Sequence, residues 1–380
     1  MIYEKGKVTP ELIERLGYVP YNFDNLDKTG ANIRIVYGQR SNGKSFGLKQ
    51  EFFDYYFNHN KQFFLIKKRH RQCNQSKMQN YFNDCDNEIY NAVRTKFPGY
   101  VNYNIRAYKN AFELIGIDDT NKKTVLDTMG YYCSVEHSED IKSLSYPKVS
   151  VIGYDEFMSQ DGGDLYDEAG KFIDMIATIQ RTRTDVVVYL VGNTVDRNST
   201  ILNTLCGFPP DKIKQGELKV IDKYSQDKKR VSRTIAINHC VTEMSEKVQD
   251  LYSYGTSREK MILNGEWITD SYPKFDEIDL SNIVFGFVFE YSIKRLYAYL
   301  GKDNKIYITD ERLPISRIEY ITLTTGQSNF RYKIFNSNCG LEKIEKIKNN
   351  MMMFYNNGFI LFKDDFVGDD FKQFLLEANI

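Results

Sequence analysis

The sequence predicts an α/β fold of the P-loop (ASCE/RecA-like) type on a parallel sheet, then a linker region and a smaller α+β domain. Three observations carry this. Short apolar runs alternate with helix-like stretches between Ile33 and Val191. The first run, Ile33-Arg34-Ile35-Val36-Tyr37, enters GQRSNGKS at Gly38–Ser45, which satisfies G-x-x-x-x-G-K-[ST], and a helix-like stretch from Phe46 to Phe57 follows. From Ile283 onward the text turns β-rich. Strands joined through helices imply a parallel sheet covered on both faces.

Along the chain, Gln62–Ile66 is a short apolar run of the kind found in buried parallel strands. Gln75–Arg94 reads as helix. Ala111 to Val135 holds two or three alternating segments separated by Asp-Asp, Asn-Lys-Lys and Met-Gly, the pattern of β-hairpins. Lys148–Tyr154 is a third buried strand. Leu165–Gln180 sets Phe172, Ile173, Met175, Ile176 and Ile179 on one helical stripe. Val186–Val191 is a fourth strand. Phe208-Pro209-Pro210 then breaks the pattern, and Asp211–Arg233 is polar and lysine-rich. Val241–Asn264 reads as one or two helices and Glu266–Asn282 as a connector. Strands are expected at Ile283–Tyr291, Leu296–Leu300 and Ile306–Asp310, and helices near Leu341–Tyr355 and Asp369–Ala378. The expected domains are residues 1–235 (P-loop domain), 236–282 (helical linker) and 283–380 (carboxy-terminal domain).

The 380 residues are 42% hydrophobic and 27% charged, enough for a sizeable core. With 51 basic and 51 acidic side chains the formal net charge is zero, so any nucleic-acid contact should be local or transient. The six cysteines contain no C-x-x-C pair and there are four histidines, which disfavours a zinc site and points to reduced thiols. No amino-terminal apolar region and no run of about twenty apolar residues is present, so the expectation is a soluble, intracellular chain without a membrane partner.

The glycine-rich turn can wrap a phosphate with its backbone N–H groups, helped by the partial positive charge of a helix N-terminus. Gly38, Arg40, Gly43, Lys44 and Ser45 are the nucleotide-binding candidates: Lys44 for the β- and γ-phosphates of ATP, the Ser45 hydroxyl for Mg²⁺. The strand Val149–Tyr154 ends in Asp155-Glu156, the Walker B arrangement, at the edge where ligands of parallel sheets bind. Asp155 is the second metal candidate, and Glu156 the base that activates water. Asn193, ending the neighbouring strand, is positioned to sense the γ-phosphate, with Thr194 as runner-up and a turn-opening Asn as the plain alternative. Arg181 and Arg183 suit either an arginine finger or cations complementing a helix C-terminus. Lys67-Lys68-Arg69-His70-Arg71 follows the second strand and needs an anionic partner, DNA phosphate or nucleotide, unless it is a solvated loop. Lys122 and Lys123 are further DNA candidates, and Tyr21 or Phe23 could stack on the base. Glu290 and Asp310 are carboxylates near strand ends, but no Asp opens the first carboxy-terminal strand, which leaves a two-metal nuclease site poorly supported.

Four stretches resemble the podoviral DNA-encapsidation ATPases, the genome-packaging motors of small tailed Bacillus-type phages and distant relatives of large terminases. They are GQRSNGKS, FFLIKKRHR with NYFND from Asn80, VSVIGYDEF, and ATIQRTRTD leading into VVVYLVGN. The resemblance implies an ATPase that translocates double-stranded DNA as a homomeric ring, a pentamer, on the portal vertex of a procapsid in the host cytoplasm. It implies that Arg181, with Arg183 as alternative, acts as a finger in the neighbouring subunit's site. It also implies a carboxy-terminal RNase H-like domain without nuclease carboxylates; some members use a structural packaging RNA. The competing readings are a terminase-like ATPase with a working nuclease, and a nucleotide-gated DNA-binding or scaffolding protein.

Overall fold

The structure, a computed structural model, describes residues 2–40, 42–158, 165, 167–194, 199–208, 210–225, 227–241, 267, 271–291, 294–315, 320–325, 330–333 and 353–377. Contacts divide it into two units, Met1–Cys206 with Pro210–Trp267, and Gly207–Pro209 with Ile268–Ile380.

The first unit contains α1 (Pro10–Leu16), α2 (Asp24–Asp27), β1 (Ile33–Gly38), α3 (Lys44–Asn58), β2 (Gln62–Lys67), α4 (Gln75–Gln79), α5 (Asp86–Lys96), β3 (Asn102–Tyr108), β4 (Ala111–Ile117), β5 (Lys123–Ser134), β6 (Val149–Asp155), α6 (Glu168–Gln180), β7 (Val187–Asn193), α7 (Thr200–Cys206), β8 (Leu218–Tyr224) and β9 (Val231–Cys240). Among the described residues its strands form a nine-stranded sheet in the order β3-β4-β5-β2-β6-β7-β1-β9-β8. The six strands from β5 to β9 in that order are parallel, and an antiparallel strand or hairpin closes each side. Every residue of β1 and β6 is buried, as expected for strands covered on both faces.

Two adjacent residues of β6 show the layering. A Cβ on Gly153 would meet Phe52 of α3 at 2.5 Å, while the ring of Tyr154 lies 5.1 Å from that of Phe172 on α6. Successive strand residues point to opposite faces, so α3 and α6 cover opposite sides of the sheet. Phe52 also stacks on Phe63 of β2 at 4.5 Å, within an aromatic cluster that takes in Phe82 and Phe112.

The parallel sheet agrees with expectation, and several local readings change. The helix expected over Gln75–Arg94 is two helices, because Asn80 caps α4 and a tight turn carries Asn83–Cys85 before α5. The polar stretch Asp211–Arg233 holds β8 and the start of β9. Its lysines are compatible with an edge strand, which buries neither face fully. β9 crosses residue 235, where a domain boundary was expected, and pairs with β1. The helices expected within Val241–Asn264 lie outside the described residues, as does most of Leu341–Tyr355.

The second unit contains β10 (Ile283–Tyr291), β11 (Lys294–Gly301), β12 (Ile306–Thr309), β13 (Tyr320–Thr325), β14 (Phe330–Lys333), β15 (Ile360–Phe362) and α8 (Asp365–Glu377). β10, β11 and β12 form an antiparallel meander, and β13 runs parallel to β10, an arrangement in keeping with the RNase H-like expectation. Phe371, Phe374 and Leu375 of α8 pack with Phe289, Leu296 and Ile308 in a core of their own.

Candidate nucleotide site

The P-loop departs from β1 and closes onto α3 through Gly43, whose φ of 68° caps the helix in the left-handed region. A Cβ there would also meet the Pro20 backbone at 2.6 Å, so a side chain is excluded twice, by conformation and by space. Lys44 is 4% exposed and turns back into the loop. Its ammonium donates to the Gln39 carbonyl and, at 2.7 Å, to Asn42 Oδ1. Those partners are neutral, and burial pulls the Lys44 pKa down to about 8. A buried cation whose hydrogen-bond acceptors among the described residues are neutral is a place where an anionic phosphate fits.

The Ser45 hydroxyl donates to Asp155 Oδ1 at 2.7 Å, joining the P-loop to the end of β6. Asp155 is buried and also accepts from Lys67 at 2.8 Å and from the Tyr81 hydroxyl at 3.2 Å. Burial would raise its pKa, but the Lys67 charge and hydrogen bonds prevail and lower it. Ser45 and Asp155 are hard oxygen donors on adjacent elements, a set that suits Mg²⁺. Glu156 follows with a φ of 60°, an uncommon conformation for a residue with a side chain. Its carboxylate accepts from Lys67 at 3.3 Å and from Gln72 at 3.4 Å. Asn193 ends β7, level with Gly38 of β1. A cavity of about 190 Å³ brings these residues together; Arg40, Gly43, Lys44, Ser45, Asp155, Glu156 and Asn193 all line it, with Tyr18 and Asp84. Thr194, next along the chain, is fully buried, and its hydroxyl has no hydrogen-bond partner among the described residues.

Several expected residues stand elsewhere. Lys67 and Lys68, expected to face DNA, are both buried: Lys67 between Asp155 and Glu156, and Lys68 in a fully buried pair with Glu168 at 3.0 Å. Alternation along the strand end sends the two lysines to opposite faces, each toward a carboxylate. Arg69 is half-buried and Arg71 exposed at the same sheet edge. Lys122 and Lys123 are exposed at the opposite edge, because β4 and β5 turn there. Phe23 is buried against Tyr189, and the Tyr21 hydroxyl is tied to Asn238, so neither is free to take a base; Tyr18 is the aromatic ring at the cavity.

Arg181 caps the C-terminal end of α6, exposed, with one bond to the Leu144 carbonyl at 3.0 Å. Since α6 starts after the cavity-lining end of β6 and returns to the start of β7, Arg181 lies at the opposite sheet edge. Thirteen residues of helix span about 20 Å. Arg183 is engaged locally, donating to the carbonyls of Tyr146, Pro147, Val149 and Ile179. In the second unit Asp310 pairs with Lys363 at 3.0 Å. Among the described residues no group of three or more His, Cys, Asp or Glu could hold a metal.

Sequence reading missed Tyr81, Gln72 and Asp84 as site residues. Tyr81 and Asp84 belong to the NYFND stretch, and Asp84 pairs with Lys49 of α3 at 2.7 Å. Lys67 reaches Asp155 because Ile66 pairs with Tyr154 in the parallel register, so the next residue on each strand meets at the edge.

Fold and site together define a P-loop α/β protein with a cavity suited to a nucleotide, and a second, mixed-sheet domain. Over 295 residues the chain is 24% identical to a DNA packaging protein of Bacillus phage B103, covering 76% of this chain and 80% of that protein. Its structure matches the bacteriophage Phi-29 viral genome packaging motor assembly with a TM-score of 0.58 and 18% identity, over 94% of this chain and 99% of that one. It matches the Phi-28 DNA packaging motor with a TM-score of 0.52 and 15% identity, over 95% and 98%. No family model matches. The chain has the fold of these phage packaging-motor proteins. No helix among the described residues is long and apolar enough to cross a membrane.

Proposed function

We propose that this chain is the ATP-hydrolysing subunit of a phage genome-packaging motor, moving double-stranded DNA into a procapsid. The observation that carries it is the convergence of the P-loop, Asp155, Glu156 and Asn193 on one cavity, in a fold shared with packaging motors. Lys44 holds the phosphates, Arg40 reaches them from the exposed side of the loop, and Gly38 and Gly43 keep the backbone close. Ser45 and Asp155 hold Mg²⁺, which when bound neutralises phosphate charge. Glu156 takes the proton of the attacking water, for which its carboxylate must leave Lys67 and Gln72. Asn193 reads the γ-phosphate end of the cavity. Arg181 stands too far along α6 to serve its own cavity and acts on a neighbour's in a homomeric ring, a pentamer by the resemblance, docked on a portal.

DNA-stimulated phosphate release should fall by about 10²-fold or more in Glu156→Gln, the size of a general-base contribution; full activity would remove Glu156 from the role. Arg181→Ala subunits mixed into wild type should depress turnover beyond their own share, and strict proportionality would exclude a trans contribution. The nuclease reading predicts Mn²⁺-dependent nicking of supercoiled plasmid; the pairing of Asp310 with Lys363 speaks against it.

A further inference from the structure

Strand directions place a second feature at the cavity edge of the sheet. β5 runs parallel to β2, β4 opposes β5 and β3 opposes β4, so the turn between β3 and β4 lies at the same edge as Lys67 and Asp155. That turn is Lys109-Asn110, flanked by the pair Tyr108–Ala111. Its residues have φ of 46° and 61°, the geometry of a type I′ hairpin, which favours Asn and Gly at both positions. Asn110 fits. Lys109 does not: a long side chain sits in a left-handed position where glycine would be relaxed.

The surroundings show what the lysine does there. Lys109 is exposed and lies over the exposed Tyr108 ring at 5.2 Å; Arg106 lies over that ring at 5.1 Å. Arg106 is paired with Glu113, the carboxylate on the facing strand, whereas Lys109 has no ion pair among the described residues. α4 is fastened alongside, since Gln79 bonds Ile105 and Ala107 of β3 at 2.9 and 3.0 Å. It presents the exposed Lys77, which also has no ion pair among the described residues, and exposed Arg71 precedes it at the same edge. Cations held at a rigid hairpin tip with an aromatic ring, and with the local carboxylate already neutralised, suit a phosphate backbone rather than an acidic side chain. The β4–β5 turn, with Lys122 and Lys123, stands at the other end of the seven-residue β4, about 20 Å away. There Asp118 accepts from the Lys122 backbone, and no comparable cation–ring stack forms among the described residues.

We infer that the β3–β4 hairpin tip, with Lys109 at its apex and Lys77 on the adjoining helix, is a contact surface for the phosphate backbone of duplex DNA. This rests on the packaging reading above.

Binding of a short mixed-sequence duplex by the full chain, followed by fluorescence anisotropy across a salt series, tests it. Lys109→Gly should keep or raise the Tm, because it relieves the turn. It should also weaken duplex binding roughly fivefold near 0.1 M salt and flatten the log K against log salt slope by about one. Lys109→Arg should restore both, and Lys122→Ala with Lys123→Ala should leave both unchanged. DNA-free ATPase should be the same in all variants. A Lys109→Gly protein with unchanged affinity and slope overturns the hairpin surface while leaving the packaging reading intact; so does a loss confined to subunit association. Wild-type protein that binds no duplex at any salt overturns both.

Discussion

Lys44 carries a prediction of its own at the residue scale. Burial holds its pKa at about 8 without nucleotide, against about 10.4 in an unfolded chain. Between those values the unfolded state binds more protons, so this group adds stability as pH rises through that window. A phosphate beside the ammonium favours the charged form and lifts the pKa. ATP binding should therefore take up close to one proton near pH 9 and none near pH 6.5. Calorimetry in buffers of different ionisation enthalpy reads this directly, and buffer-independent heats at the higher pH would refute it. Lys68 gives the opposite kind of test. Removing one partner of its fully buried pair, as in Lys68→Met, should cost about 3–5 kcal/mol by denaturant unfolding. Replacing both with Lys68→Met and Glu168→Leu should recover part of that, though the Tyr154 hydroxyl then loses its acceptor. Neither residue should affect DNA affinity in protein that remains folded.

The two arginines after α6 separate at the scale of the element. Arg183 fastens the segment ahead of β6 to the end of α6 through four carbonyls, so Arg183→Ala should lower stability by about 1.5–3 kcal/mol in denaturant melts. Arg181→Ala should change stability by less than about 0.5 kcal/mol, as for a surface position. Sequence could not divide them, because their difference lies in which carbonyls the chain brings within reach. The buried strands β1, β2, β6 and β7 were legible as apolar runs bounded by turns, and with them the edge that carries Lys44, Ser45, Asp155, Glu156 and Asn193. The hairpins were less legible. β3 alternates weakly, and β9 enters the sheet from a lysine-rich stretch whose apolar part, Ile235-Ala236-Ile237, is only three residues long. Lys67 and Lys68 were misread for a related reason: a run of cations looks like a surface until a facing carboxylate is known, and both carboxylates come from distant sequence.

Two separate cores set the behaviour expected of the whole molecule. The first unit's aromatic cluster and the second unit's packing of α8 on its sheet share no residues. Residues 1–267 alone should therefore fold cooperatively and gain several degrees of Tm with saturating Mg-ATP, since a ligand of the folded state alone stabilises it by mass action. A fragment that melts without cooperativity would show that the first unit depends on the second. The placement of Arg181 at the edge opposite the cavity then bears on reaction order. If Arg181 supplies a group to another subunit's nucleotide, the fully competent catalyst exists only in an associated species. Specific activity should then fall as the protein is diluted through its association constant, and dilution should mimic Arg181→Ala at constant nucleotide occupancy.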